Sequence, residues 1–438
     1  MTTPALQWRP TNAPVASSRT DDIWFIDPAT GWAVNSNGQI LMTTDGGNSW
    51  TEQFRANGTY LRCVGFASRL KGWVGTLTEP RRMFQTRDGG LTWEQVTNLP
   101  AVAPAAICGL SVVNESVIYA SGTNYPNKAA RMMKSVDGGE TWSGWEMGEH
   151  ATLLVDTYFT SPDRGWVVGG KASVANPTRN DVKPVVLFTE DGGRTWVNRV
   201  ANLEAQLPLG EWGWKIFFLN QSVGYVSLEN FRAGAILKTT DGGETWTRKV
   251  VNDQQGNANL EGIGFVDENH GWVGGWGSAN FQGGFSSETL DGGDNWRDAN
   301  EIGRFINRFR FFGNPVTVGY ASGRTVFKYS AEPVAPHPLA LASAARILAT
   351  NEPQDWTGPV EIAYTVPGAG AKRLTIDIWD RFGQYVRKLR DEDSPLPGSH
   401  SVIWNLEDDA GYGVSPGAYI YRITVDDEAE SRIIRLNF

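Results

Sequence analysis

Apolar and polar positions between residues 20 and 330 fall into short runs that alternate with a period of two, and one order of runs keeps returning. Each unit opens on an apolar run ending near a phenylalanine: DDIWFID, LRCVGFAS, LVDTYFTS, WKIFFLN and LEGIGFVD. Six residues beyond that phenylalanine stands a glycine followed by an aromatic residue, as in Gly31-Trp32, Gly72-Trp73, Gly165-Trp166, Gly224-Tyr225 and Gly271-Trp272. A second short run follows, then a loop of variable length, a third run, and a turn spelled Thr/Ser-x-Asp-Gly-Gly-x-x-Trp. A fourth run leaves that tryptophan, as in WTEQF, WEQV and WTRKV. Alternation without a 3.6-residue rhythm predicts strands rather than helices. The turn aspartates Asp45, Asp88, Asp137, Asp191, Asp241 and Asp291 are 43, 49, 54, 50 and 50 residues apart. Four strands repeated at that interval predict one propeller blade per unit.

A seventh unit, FINRFRFFGNPVTVGYASGRTVFKYS, has three runs and no turn motif, whereas ALQWRP near the amino end resembles the strand that follows one. The pattern therefore predicts an all-β fold: a seven-bladed β-propeller over residues 1–330, closed by a strand from residues 5–10. Closure removes the open edge that would otherwise pair with another chain. Within the turn, the aspartate can accept backbone hydrogen bonds and the glycines tolerate positive φ. The tryptophans Trp50, Trp93, Trp142, Trp196, Trp246 and Trp296 can bury their rings on neighbouring strands. Six copies of one turn point to a structural staple rather than to catalysis, and one carboxylate per turn is too few to hold calcium. After TVFKYS, the Pro- and Ala-rich passage AEPVAPHPLALASAA reads as a linker, residues 331–345, and as entry to a further domain. Residues 346–438 carry alternating runs, from VEIAYTV to SRIIRLNF, whose number and spacing predict a small Ig-like β-sandwich.

The repeated turn is the Asp-box, or bacterial neuraminidase (BNR) repeat. Together with the Gly-aromatic pair before the second strand, it makes residues 1–330 resemble the photosystem II stability and assembly factor family of seven-bladed propellers. The Asp-box also occurs in sialidases, xyloglucan-degrading enzymes and sortilin-like receptors, so it specifies a fold class and not an activity. The Phe/Tyr-Arg-Ile-Pro motif that supplies a substrate-binding arginine in sialidases is absent. Members of the assembly-factor family carry an arginine-lined binding surface. No patch of this sequence matches it residue by residue, so the resemblance implies a protein partner without assigning residues. In the tail, TIDIWDRFGQYVRKL and GSHSVIWNLEDDAGYGVSPGAYIYRITVDD resemble the Ig-like domain of the flagellar hook-cap protein, which implies an exported protein, periplasmic, at the cell surface or extracellular.

Composition narrows the chemistry. The 39 basic and 48 acidic side chains give a net charge of −9 and a pI near 5.2, which offers no general basic face to nucleic acid. Mean hydropathy is −0.33 and no apolar run approaches about 18 residues, so no transmembrane segment is expected. The amino end, MTTPALQWRP, lacks the pattern of a signal peptide, so the expectation of export supposes a leader outside this sequence. Cys63 and Cys108 lie in apolar runs and read as buried thiols, with a disulfide unsupported by spacing. His150, His270, His337 and His400 are scattered, without ligand spacing for zinc.

Propellers bind ligands at the mouth of the central channel, where first strands converge. Aligned on the phenylalanine column, the residues three before it are Asp22, Cys63, Gly109, Asp156, Lys215 and Gly262. Those four before it are Asp21, Arg62, Cys108, Val155, Trp214 and Glu261, and the seventh unit offers Arg304, Asn307, Arg308 and Arg310. Ionisable groups at equivalent positions of a ring would converge on its axis; the bland alternative is that they are solvated strand ends. Asp22, Asp156 and Glu261 are the candidate acid/base carboxylates. Arg62, Lys215 and Arg308, with the loop residues Arg81, Arg82, Tyr125, Phe231, Arg232 and Trp276, are the candidate partner-binding residues. Arginines beside aromatics suit either a protein hot spot or sugar stacking. The variable loops also bring Lys128, Arg179, Asp181, Lys183 and Phe281. No G-x-S-x-G, H-E-x-x-H or phosphate-cradling glycine loop is present. The acidic runs at 391–393 and 407–409 read as solvated loops. The expected function is a non-catalytic binding or assembly propeller that engages a protein partner through its channel rim, with no cofactor and no metal. The alternative is an extracellular polysaccharide-active enzyme, or a lectin-like glycan binder, using the same rim.

Overall fold

The computed structural model describes residues 5–278, 280–334, 355–356, 359–366, 371–380, 385–415, 417–426 and 428–436. Among these residues there are strands and three single-turn 3-10 segments, and no α-helix. The chain divides into two compact units, with the change at Val334 and Ala335. The proposed linker at 331–345 falls largely outside the described residues.

In the first unit, seven four-stranded antiparallel sheets follow one another along the chain. The first is Thr20–Phe25, Gly31–Asn35, Gln39–Thr43 and Thr51–Arg55, and the next five repeat that up-and-down order. The seventh has three consecutive strands, Arg308–Phe312, Val318–Ser322 and Val326–Ser330, and its fourth place is taken by Gln7–Pro10. That strand lies antiparallel to Val326–Ser330, with Gln7 opposite Ser330 and Pro10 opposite Phe327.

Neighbouring sheets are held by an aromatic stack that explains the Gly-aromatic pair. At four junctions the first-strand phenylalanine of one sheet lies flat on the second-strand aromatic of the sheet before it, whereas Phe218 meets Trp166 tilted by 38° at 4.7 Å. Phe66 lies on Trp32 at 3.6 Å between centroids, Phe159 on Tyr119 at 3.5 Å and Phe265 on Tyr225 at 3.7 Å. Phe25 on Tyr320, at 3.7 Å, joins the first sheet to the seventh. Each such pair contributes about 0.5–1.5 kcal/mol beyond the burial of its rings. Where the preceding residue is glycine, the phenylalanine of its own sheet covers it. A Cβ at Gly271 would stand 2.4 Å from Phe265 Cδ1.

The repeated turn is satisfied internally. In the fifth sheet, Thr239 Oγ1 donates to Asp241 Oδ1 at 2.7 Å and accepts from the Gly243 amide at 3.0 Å. Asp241 then accepts from the Thr245 amide at 2.9 Å and from its hydroxyl. Gly242 and Gly243 turn at φ +75° and +87°, in the left-handed region where a side chain is strained. Trp246 buries its ring and donates to the Gly243 carbonyl at 3.1 Å. Hydrogen bonds of this kind hold the carboxyls of Asp88, Asp137 and Asp291 down to about 2.

The first strands carry one irregularity that matters for the site. A β-bulge interrupts the pairing between Thr20 and Asp22, between Leu61 and Cys63, between Leu154 and Asp156, and between Leu260 and Gly262. The extra residues are Asp21, Arg62, Val155 and Glu261. A bulge breaks the in-out alternation, so consecutive residues can both face the interior.

The second unit has a five-stranded sheet, in the order Asp355–Trp356, Glu428–Leu436, Gly417–Val425, Arg373–Asp380, Tyr385–Asp393, and a two-stranded sheet of Val360–Val366 with Gly398–Trp404. Both contribute to one core that includes Ile362, Tyr364, Ile376, Trp404 and Tyr421.

Candidate functional site

The bulged first strands place two layers of ionisable residues at the centre of the first unit. In the deeper layer, Arg308 of the seventh sheet reaches aspartates on two others. It donates through Nε to Asp22 at 2.9 Å and through both terminal nitrogens to Asp156, at 2.8 and 2.9 Å. Asp22 also accepts from the Val64 amide at 3.2 Å, and Asp156 from the Ile216 amide at 3.2 Å, so each carboxylate ties its own sheet to the next. Burial pushes the Asp156 carboxyl up, but Arg308 and Lys215 outweigh it and hold it at about 2. Lys215 Nζ is 3.9 Å from Asp156 and has no hydrogen-bond acceptor among the described residues. Burial, followed by the neighbouring Arg308, brings the Lys215 ammonium down to about 8.

Above this layer opens a cavity of about 540 Å³. Arg19 is bound to Asp21 and Glu261, and its guanidinium lies over the Trp276 ring at 4.4 Å. Arg62 donates to Asp21 at 3.0 Å and lies over Trp214 at 4.9 Å. Trp276 donates to Glu261 at 2.9 Å and Trp214 to Asn307 at 3.2 Å. Arg179 enters from the longest loop, donates to the Asn124 carbonyl at 3.0 Å and lies over Tyr125 at 5.0 Å. Glu229, at the end of the second strand of the fifth sheet, is buried. Burial first, and then the nearby Glu261, push its carboxyl up to about 8. Phe281 and Tyr60 complete the aromatic part of the wall.

Of the residues singled out in the sequence, Asp21, Arg62, Tyr125, Arg179, Trp214, Glu261, Trp276 and Phe281 line this cavity. Asp22, Asp156, Lys215 and Arg308 form the buried layer beneath it. Phe231 packs edge-on against Trp212 and Phe281 behind the wall. Arg81 donates to the Asn57 carbonyl at 3.0 Å, Arg82 to the Ala103 and Pro104 carbonyls, and Arg232 is exposed; none of the three lines the cavity. Cys63 and Cys108 are buried free thiols. Six cavity residues, Ser18, Arg19, Tyr60, Leu77, Asn124 and Glu229, stand outside both the column alignment and the loop candidates. Arg19 precedes the first strand, and Glu229 lies on a second strand, where Tyr225, Ser227 and Glu229 share one face by the period of two. Among the described residues, no helix is long and apolar enough to cross a membrane.

Comparison with known proteins adds a fold and a partial likeness. Residues 2–133 match the family model described as photosynthesis system II assembly factor YCF48. Over 133 residues the chain is 30% identical to the photosystem II assembly lipoprotein Ycf48 of Synechococcus sp. (strain CC9902). That alignment covers 28% of this chain and 35% of the relative, so the chain spans about a third of the relative's length. Among solved structures, YCF48 bound to a D1 peptide superposes with a TM-score of 0.54 at 18% identity, over 76% of this chain and all of that one. YCF48 from Cyanidioschyzon merolae gives 0.54 at 19% identity, over 74% and 99%. The WD40 propeller domain of Doa1 gives 0.51 at 10% identity, over 76% and 98%. The first unit therefore has the fold of a β-propeller, and its first 130 or so residues are similar in sequence to a photosystem II assembly factor.

Proposed function

We propose that this chain is a non-catalytic propeller of seven blades, six of them carrying the Asp-box, that binds a peptide segment of a protein partner at the cavity, in the service of assembling a larger complex. The observation that carries this reading is the cavity itself: an opening of about 540 Å³ walled by Trp214, Trp276, Phe281, Tyr60 and Tyr125. Rigid aromatic walls beside buried, oriented charges suit a peptide's mixture of apolar stems and polar ends. The likeness to an assembly factor over residues 2–133 supports it, as does a structural neighbour captured with a peptide. Asp22 and Asp156 are each engaged by Arg308 and by a backbone amide of the next sheet, which supports a structural role for them over a glycosidase acid/base pair. We read the second unit as an Ig-like docking module, on its two sheets and single core. The lipoprotein named as a relative supports an exported, envelope-side location.

The test uses the exposed part of the wall. Tyr125 and Phe281 are 43% and 42% exposed, so replacing both by alanine leaves the buried ion pairs intact. Mild cross-linking of native envelope and membrane fractions, followed by mass spectrometry, is expected to recover a stoichiometric partner with the parent protein. The same preparation from Tyr125→Ala/Phe281→Ala is expected to lose it at unchanged melting temperature. Equal recovery by the variant, or no partner from either, would sink the reading.

A further inference from the structure

Of the three acids in the cavity wall, Asp21 and Glu261 are ion-paired, and Glu229 has no ion-pair partner among the described residues. Asp21 is engaged by Arg19, Arg62 and Asn307, and Glu261 by Arg19 and Trp276. Glu229 is 1% exposed, and its Oε2 has no hydrogen-bond partner among the described residues. One donor of the same wall is in the same condition: Arg62 spends Nη1 on Asp21, while its Nη2, also buried, has no acceptor. Buried polar atoms are nearly always paired, and leaving one unpaired is costly. Asp21 Oδ2 is likewise buried without a partner among the described residues, and three such atoms lining one open cavity mark the places where an occupant's polar groups belong.

We propose that the cavity receives a basic side chain of the bound peptide, with its cationic head on Glu229 Oε2 and the peptide's neighbouring carbonyl accepting from Arg62 Nη2. This rests on the peptide-binding reading above. The methylene stem of a lysine or arginine suits the space between Trp214, Trp276 and Phe281, which line the same cavity. A bound cation can be accommodated without a change of net charge. The wall sets Arg19, Arg62 and Arg179 against Asp21, Glu229 and Glu261, with Lys215, Arg308, Asp22 and Asp156 in the layer below. The carboxyl of Glu229, raised by burial and by Glu261, holds a proton at neutral pH. Exchanging that proton for a bound cation leaves the net charge of the wall unchanged.

The exchange has a signature. A cation favours the ionised form of Glu229, so binding below pH 8 releases a proton. Affinity therefore rises with pH, about fifteenfold between pH 6.5 and pH 8, and by no more than about twofold above. The experiment selects binders from a displayed random-peptide library, then titrates the best synthetic peptide calorimetrically in two buffers of different ionisation enthalpy. Selected peptides are expected to share a lysine or arginine. Replacing it by norleucine is expected to weaken binding at least tenfold, and close to one proton is expected to leave at pH 7. Glu229→Gln, which keeps the shape of the neutral acid and so the fold, is expected to abolish both the pH slope and the preference for lysine over norleucine. Peptides that bind without a basic residue, or with a flat pH profile, would overturn this inference while leaving peptide binding standing. A library that yields no binder would overturn both.

Discussion

Lys215 and Arg308 show how two cations in one buried layer come to opposite conditions. Arg308 presents a planar fork that meets Asp156 with two nitrogens and Asp22 with a third. Lys215 is a point charge left 3.9 Å from an aspartate already engaged, and it pays the desolvation without a hydrogen bond among the described residues. Its ammonium titrates at about 8 in the folded chain against 10.5 ordinarily. Between those values the unfolded chain binds more protons than the folded one, so folding stability rises with pH across that window. Lys215→Met removes the group and fills its space with an apolar stem. The variant is expected to be at least as stable as the parent at pH 7, and its urea-derived stability to be flat from pH 8 to 9.5, where the parent's climbs. A marked loss of stability at pH 7 would mean that Lys215 is a necessary partner of Asp156 and not a tolerated one.

At the scale of the element, what repeats is a contact between sheets rather than a sheet by itself. Where a glycine precedes the aromatic, a phenylalanine ring lies on it, and at four junctions such a ring in turn covers the aromatic of the sheet before. Gly271→Ala places a Cβ 2.4 Å from Phe265 Cδ1, on a ring already stacked at 3.7 Å on Tyr225, so the ring cannot retreat. Overpacking of this kind costs about 1–3 kcal/mol. Phe265→Leu frees the space and gives up the stack. The double variant is therefore expected to be more stable than the sum of the two single losses predicts, by about 0.5 kcal/mol or more in a double-mutant cycle of urea denaturation. Strict additivity would show that the two residues are not packed as one unit.

Across the whole molecule, the elements with a strong local signal were legible in the sequence and the site was only half so. Turn, glycine and aromatic recur because each unit meets the same neighbour, so their positions along the chain disclose the strands. Asp21 beside Asp22 and Arg62 beside Cys63 read as two successive polar or small positions, and only the bulges, which depend on pairing, turn both inward. Glu229 and Arg19 join the cavity from outside the aligned column, through the tertiary arrangement of the ring. The seventh sheet poses the same question of distance, since its fourth strand is more than 300 residues from its third. Trp8 secures that strand, meeting Trp272 and Phe309 edge-on at 5.5 and 5.6 Å and Tyr329 at 5.1 Å. Trp8→Ala is expected to cost about 3 kcal/mol, the lower end of the range for a large aromatic, because the ring is half-buried. Deleting residues 1–10 removes the strand itself and leaves the backbone of Val326–Ser330 unpaired at an edge. That variant is expected to self-associate in size-exclusion chromatography with multi-angle light scattering. A synthetic peptide of residues 1–16 added in trans is expected to return it to the parent's mass, because it restores the missing pairing without altering the rest of the chain. A deletion variant that keeps the parent's mass and denaturation midpoint would show instead that the ring is held by its sheet-to-sheet stacks alone.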